Sequence, residues 1–243
     1  MGQTVVPFFT AVGAKASDNV TPFSQVFALP AAPAIGDVHL LVGCTDNDAA
    51  GTVSISAPNG GAWTAVSGTP IGVAAGEKAW VWWRRHATGD GDPTVDSSAD
   101  SLMGGIAGWR NCVNQGSPIN VVETGSESTS DLTLSFATSV STTRDSCMVL
   151  LISTSGQDSN AAQHSNQANS NLGNVAERVD YQSTAGAGGG FQIAEGSLIV
   201  PGVIGTWTAD LANNSPKAYL VLALIGADLP YSQPCNFQDP GML

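Results

Sequence analysis

The chain has 243 residues, 42% of them hydrophobic, and its eight basic and twenty acidic side chains give a formal net charge of −12. A chain of this length can bury about three quarters of its unfolded surface, so we expect a substantial core. The charge has the wrong sign for neutralising phosphates or docking on anionic lipids, so neither nucleic acid nor a membrane is an expected partner. Only 12% of residues are charged, which favours a chain that buries surface against other chains.

Apolar or alternating runs bounded by turn residues recur along the whole chain and predict β-strands. In the first half they cover residues 5–12, 24–29, 37–45, 52–57, 78–87 and 102–109. In the second half they cover residues 119–123, 131–136, 146–154, 190–200, 205–211 and 217–225. The intervening loops are too short for crossover helices. The sequence therefore predicts an all-β fold, an antiparallel β-sandwich or jelly roll.

The two halves of the chain share a weak pattern, offset by roughly 110 residues. An acidic residue followed by a buried strand occurs at 37–44 and again at 145–152, and a glycine-containing turn precedes both the Trp80 strand and the Phe191 strand. Residues 102–109 likewise parallel residues 219–225. One repeat per half indicates pseudo-symmetry within one sandwich, because a solenoid needs at least three units.

These patterns divide the chain into three parts. Residues 34–227 form the predicted sandwich, and residues 1–33 supply N-terminal strands that belong to the sandwich or form an arm. Residues 228–243 are predicted to form an extended, proline-rich C-terminal arm, since three prolines exclude a central strand there. Tyr231 and Phe237 give this arm apolar anchors, so we expect it to pack on a neighbouring subunit; packing on its own domain is the alternative.

Four consecutive residues, Trp80, Val81, Trp82 and Trp83, form the most informative cluster. Strand alternation places Trp80 and Trp82 on one face of the sheet and the other two on the opposite face. One face can belong to the core, and the other requires a second layer, a partner chain or a sugar. Trp80 and Trp82 are therefore candidate interaction residues, together with Tyr231 and Phe237 of the arm.

Motifs for catalysis and nucleotide binding are absent from the sequence. Three glycines at 186, 188 and 190 superficially resemble a dinucleotide loop, but the residues from Phe191 onward predict a strand where that loop needs a helix. His39 is interpreted as a hydrogen-bonded sheet histidine and His164 as a solvated loop residue, and no spacing joins either to a nucleophile. We expect no catalytic residue and no cofactor.

Carboxylate pairs occur in two glycine-containing loops, at Asp46 with Asp48 and at Asp90 with Asp92. Calcium prefers several such oxygens around one point, but neither loop fits the twelve-residue helical pattern. We interpret the pairs as turn formers and expect no metal site, although calcium binding by these loops stays open. A glycosidase pair would require a carboxyl separation that sequence does not give.

Two other features bear on partners and compartment. Residues 157–174 are rich in Ser, Asn and Gln without apolar periodicity, which predicts a long loop, either an exposed connector or a contact loop. The four cysteines, at 44, 112, 147 and 235, form no C-x-x-C pair, which indicates neither a zinc site nor a redox motif. We expect buried free thiols, with a disulfide left as an alternative. We find no signal peptide and expect a chain made in the cytoplasm.

A resemblance rests on residues 34–42, 57–63, 80–84 and 104–109, followed by residues 185–191 and 217–225. In this order the sequence resembles the β-sandwich structural proteins of tailed-bacteriophage virions, over about residues 34–228. The resemblance implies a head decoration protein, a tail component or a fibre module, located in the virion and assembled in the host cytoplasm.

The leading hypothesis is a non-enzymatic capsid decoration or cement subunit, whose expected partners are other capsid or tail proteins and further copies of itself. A carbohydrate- or receptor-binding module on a tail or fibre, with a glycan as its partner, is the alternative. A hydrolase that uses one acidic pair is a third possibility.

Overall fold

A computed structural model describes residues 4–18, 23–45, 51–73, 77–98, 101–184 and 188–228. The described chain is all-β, as the sequence predicts, and contains no helix that is long and apolar enough to cross a membrane. Its strands are β1 (Phe8–Val12), β2 (Ala16–Asp18), β3 (Phe23–Val26), β4 (Val38–Thr45), β5 (Val53–Ala57), β6 (Thr64–Ala65), β7 (Ile71–Gly72), β8 (Lys78–Arg85), β9 (Thr94–Ser97), β10 (Leu102–Arg110), β11 (Ile119–Ala137), β12 (Cys147–Ser155), β13 (His164–Ala168), β14 (Gly173–Ser183), β15 (Gly189–Leu198) and β16 (Thr206–Ile225).

These strands form three antiparallel sheets. The first sheet has the order β1-β10-β4-β8-β6, with β2 paired to β10 and β7 paired to β8. The second has the order β11-β16-β12-β15-β14, with β13 paired to β16. The third is smaller and has the order β3-β9-β5. The antiparallel arrangement of strands is therefore confirmed.

The first two sheets pack face to face around the largest hydrophobic core. Alternate residues of the central strands enter it, Leu40 and Val42 from β4 and Leu150 and Ile152 from β12, and all four are fully buried. A strand buried on both faces needs a continuous apolar run rather than strict alternation. Such runs in β4 and β12 made both strands recognisable in the sequence.

One carboxylate connects the two sheets inside this core. Glu195 of β15 accepts a hydrogen bond of 2.7 Å from the indole Nε1 of Trp109 in β10, and another of 2.8 Å from Nε of Arg178 in β14. Glu195 is 2% exposed, and a buried carboxylate requires such partners. The Trp109 bond links the first sheet to the second and is shielded from solvent, because both side chains are buried, while the Arg178 bond lies within the second sheet.

The outer face of the first sheet is covered by the third sheet, which we call the first cover. Phe27, Val53 and Val95 from this region pack on Leu41 and Ile106 of the first sheet. The first cover thus provides the second layer that the apolar face of β8 requires.

The outer face of the second sheet is covered by its own strands. β11 and β16 are long, and their pairing is irregular between Glu127 and Thr133, where the ladder bends back over the sheet. Phe136 is on the folded-back part of β11, and Tyr219 is on the part of β16 that stays in the main sheet. Their rings contact each other, with centroids 4.4 Å apart. We call the folded-back part, residues 131–137 of β11 with 206–211 of β16 and β13, the second cover.

The bend is held by a buried lysine. Lys217 is fully buried, and its Nζ donates to the carbonyl oxygen of Thr133 at 2.6 Å and to the Asp131 carboxylate at 2.5 Å. The Lys217 hydrogen bond and charge hold the pKa of the Asp131 carboxyl below its ordinary value. Lys217 lies in the part of β16 that belongs to the main sheet, whereas Asp131 and Thr133 lie in the folded-back part of β11. The bonds between them therefore fix the angle of the bend.

Two predictions about strand limits are wrong. Residues 119–123 and 131–136 belong to one strand, β11, and residues 205–211 and 217–225 largely to another, β16. The predicted loop at 157–174 contains β13 and the start of β14. Polar side chains are tolerated in these strands because many of them face solvent.

Candidate functional site: a groove lined by tryptophan

The tryptophan cluster in β8 has the predicted alternation. Trp80 and Trp82 face the first cover, whereas Val81 and Trp83 face the core between the two main sheets. Trp80 is 8% exposed and therefore offers no contact surface, while Trp82 remains partly exposed. Tyr231 and Phe237, the other two candidate interaction residues, lie outside the described residues.

Trp82 and Trp63 line an open groove with a volume of about 390 Å³. It lies between β5, an edge strand of the first cover, and the start of β6, an edge strand of the first sheet. We call it the Trp63–Trp82 groove; its lining residues are Val53, Ser54, Ile55, Pro58, Ala62, Trp63 and Trp82. None of them is charged, so the groove suits an apolar or neutral occupant.

A buried arginine holds one wall of this groove in place. The Arg84 guanidinium lies over the Trp63 ring, 4.5 Å from its centroid. It also donates hydrogen bonds to the carbonyl oxygens of Pro58 and Gly91, both at 3.0 Å. Arg84 is 2% exposed, so these contacts are shielded from solvent and fix the wall before any ligand arrives.

Asp90 completes this support. Its carboxylate accepts hydrogen bonds from the backbone N–H groups of Gly61 and Ala87 and lies 3.5 Å from Arg84 Nε. Burial opposes its ionisation, but the N–H donors and the Arg84 charge outweigh burial and hold the pKa of Asp90 below its ordinary value. Asp90 is therefore a structural turn residue, as the sequence suggested.

Asp92, the other member of the second carboxylate pair, is also held by the backbone. Asp92 accepts a hydrogen bond from the Leu29 N–H at 2.7 Å, which makes it a loop residue as well. Within the described ranges no three His, Cys, Asp or Glu side chains are grouped so that they could hold a metal ion. Asp46 and Asp48 lie outside the described residues.

His39 is a sheet histidine, but the expectation that it is hydrogen-bonded is not met. It is fully buried in β4, and neither ring nitrogen has a partner among the described side chains and backbone groups. Its ring contacts that of His86, with centroids 5.2 Å apart. Burial, reinforced by the positive charges of His86 and Arg84, lowers the pKa of His39 to about 4.

The expectation that His164 is a solvated loop residue is wrong. His164 lies in β13, which is part of the second cover, and its side chain is fully buried. Its Nε2 is 3.4 Å from the Ser153 hydroxyl and its Nδ1 is 3.4 Å from the Asp180 carboxylate. Sequence reasoning missed this grouping because the three residues lie on different strands, β12, β13 and β14.

A serine, a histidine and an aspartate in this order have the composition of a hydrolytic triad, but their surroundings are those of a structural network. Ser153 has no exposed surface, and its Oγ accepts a 2.8 Å hydrogen bond from Gln192. Asp180 accepts backbone N–H bonds from Gln163 and His164. Burial opposes ionisation of Asp180, yet its bonds to His164 keep the pKa of this carboxyl below its ordinary value. The network joins β13 of the second cover to β12 and β14 of the sheet beneath it.

The glycine run and the cysteines also have structural settings. Gly188 and Gly189 have positive φ angles, and β15 begins at Gly189, so a strand follows the glycine run, as predicted, where a dinucleotide loop needs a helix. Gly186 lies outside the described residues. Cys44, Cys112 and Cys147 are buried and free, as expected, while Cys235 also lies outside.

A second accessible apolar feature is the turn between β15 and β16. Ile199, Val200 and Val203 are 57%, 68% and 53% exposed, and no charged residue lies between positions 199 and 205. An exposed, uncharged apolar turn is typical of a contact between proteins.

Comparison with known proteins gives no match, since no family model, no curated protein and no solved structure is similar to this chain.

Proposed function

We propose that the chain is a non-enzymatic structural protein of a tailed-bacteriophage virion, most specifically a capsid decoration or cement subunit that stabilises the particle through subunit contacts. The observation that carries this proposal is the Trp63–Trp82 groove, a preformed and uncharged slot beside an edge strand. Two chains of net charge −12 repel each other, so contacts between copies require uncharged surfaces. The groove and the turn at 199–203 are such surfaces.

We infer a sandwich of two pseudo-repeated halves, related to jelly rolls. The central strands of the first sheet have the order β10-β4-β8, and those of the second have the order β16-β12-β15. These are the strands that the offset of roughly 110 residues relates, and this agreement supports the repeat.

The proposal is tested by locating the protein. Purified particles made with and without it should differ in surface density and in resistance to heat or chelator, and the protein should be present in the particle fraction at a copy number that follows capsid symmetry. Its absence from particles would refute a virion role. If the protein were found only at the tail, it would be a tail component, and the proposal that it stabilises the particle through subunit contacts would still hold.

A second candidate is a carbohydrate- or receptor-binding module on a tail or fibre. It is favoured by the two indole side chains in one groove, because aromatic faces are common platforms for ring-shaped ligands. A glycan array tests it: Trp82→Ala should abolish saturable binding, while the wild-type chain should bind a defined sugar. Trp80→Phe serves as the matched control, since Trp80 is buried under the first cover and phenylalanine keeps a large ring there.

A further inference from the structure

The Trp63–Trp82 groove has features that favour an extended polypeptide over a sugar. β5 pairs only with β9 within the described chain, so its other edge faces the groove. An edge strand offers backbone N–H and C=O groups to a further strand, and an apolar slot beside it accepts alternate side chains. A sugar instead requires several converging polar side chains, whereas Ser54 is the sole hydroxyl in the lining.

We propose that this groove takes residues 229–243 from a second copy of the chain. This inference rests on the proposed function and identifies the subunit contact behind it. The segment has one charged residue, Asp239, which suits an uncharged slot on an acidic protein. In an extended chain Tyr231, Cys235 and Phe237 face the same side, because their separations are even. Two aromatic anchors, Tyr231 and Phe237, are then presented to the two indoles of the groove.

The position of Asp228 indicates that the segment comes from another copy. Asp228 forms a bridge with Thr4, in the residues that lead into β1. The groove lies towards the opposite edge of the first sheet: Trp82 is on β8, three strand spacings or about 14 Å from β1, and Trp63 precedes β6, four spacings or about 19 Å from β1. Tyr231 is three residues from Asp228 and reaches at most about 10 Å from it. Tyr231 therefore falls short of the Trp63 side of the groove in its own chain, while a neighbouring copy can place both aromatic anchors against the two indoles.

Disulfide cross-linking between the segment and the groove tests the contact directly. Cys235 lies in the segment, and Ser54 is an exposed residue in the groove wall. The described cysteines are poor competitors, because burial raises the pKa of Cys112 to about 12 and that of Cys147 to about 11, and the thiolate is the reactive form. Ser54→Cys should therefore form a disulfide with Cys235 when the full-length protein is oxidised with copper phenanthroline.

The matched control is Ser128→Cys, an exposed position on β11 in the other sheet. We expect Ser54→Cys to give a covalent dimer roughly an order of magnitude faster than the control, with a peptide linking positions 54 and 235 found by mass spectrometry. Adding Trp82→Ala should slow the reaction to the control rate, and adding Cys235→Ser should abolish it.

Two results would overturn the inference. A 54–235 disulfide within one chain would show that the segment packs on its own domain. Equal cross-linking rates at positions 54 and 128 would show that the groove does not attract the segment at all. Both results are obtained with purified protein, so they are independent of whether the protein is found in particles.

Discussion

The outer faces of the two main sheets are covered in different ways. The second cover is made from strands that continue from the sheet below and bend back over it, and its central aromatic residue, Trp207, is fully buried. The first cover is a separate small sheet with an edge strand of its own, and Trp82 beneath it stays partly exposed. A cover made of continuous strands closes the face, whereas a separate sheet leaves a seam. The seam provides the binding groove.

The largest effect is expected at the closed face. Trp207→Ala should destabilise the protein by about 3–5 kcal/mol, because it removes a fully buried indole from the second hydrophobic cluster. Urea unfolding followed by circular dichroism measures this loss. Trp207→Phe is the control and should lose markedly less. A loss below about 1 kcal/mol for Trp207→Ala would mean that the second cover is not closed.

The next effect concerns acid stability and arises at His39 in β4. The unfolded chain protonates His39 near its ordinary pKa of 6.5, whereas the folded chain resists protonation down to about 4. The contribution of neutral His39 to the free energy of unfolding is thus complete above pH 6.5, and it is lost as the pH falls from 6.5 to 4. The lost stability amounts to about 3 kcal/mol.

His39→Phe should flatten this part of the stability curve, as measured by urea unfolding between pH 7 and pH 4. Asp37, Asp90 and Asp180 have pKa values below the ordinary range, so their stabilising effect is present above the unfolded carboxyl pKa and declines at lower pH. Their contribution therefore falls mostly below the His39 window. An unchanged slope in the variant would assign the acid sensitivity to other groups.

A smaller effect is expected at the bend of the second cover. Lys217→Ala should cost about 2 kcal/mol, because it removes a buried aliphatic stem and the hydrogen bond to the Thr133 carbonyl. Lys217→Met keeps the stem and should cost about half as much. Thermal unfolding of both variants separates packing from charge. Equal losses would show that the charge, rather than the stem, holds the bend.

The smallest effect on stability is expected in the groove. Trp82→Ala should cost about 1 kcal/mol, since this side chain is only partly removed from water. The same substitution should strongly reduce assembly, whereas Trp207→Phe should leave assembly unchanged. Equilibrium unfolding and sedimentation velocity measure the two properties separately. A variant that unfolds much more readily yet assembles normally would make Trp82 a core residue.

The sequence predicted those parts of the molecule in which local pattern determines structure. The apolar runs of β4 and β12 and the alternation around Trp80 indicated strands buried on two faces, and the structure has them. It did not indicate β9, because Thr94–Ser97 has one large apolar residue, Val95. The burial of His164 depends on β16 folding back over the sheet, which no local pattern reveals. The groove was missed for the same reason, because Trp63 and Trp82 meet only when the first cover is in place.

Oxidative labelling of tryptophan in free and assembled protein tests the central claim, that the Trp63–Trp82 groove is a contact between subunits. In dilute free protein, Trp82 should be oxidised readily and Trp207 should stay intact, because one is partly exposed and the other is buried. In purified particles, we predict that Trp82 becomes as protected as Trp207. Equal oxidation of Trp82 in the free and assembled protein would contradict the claim.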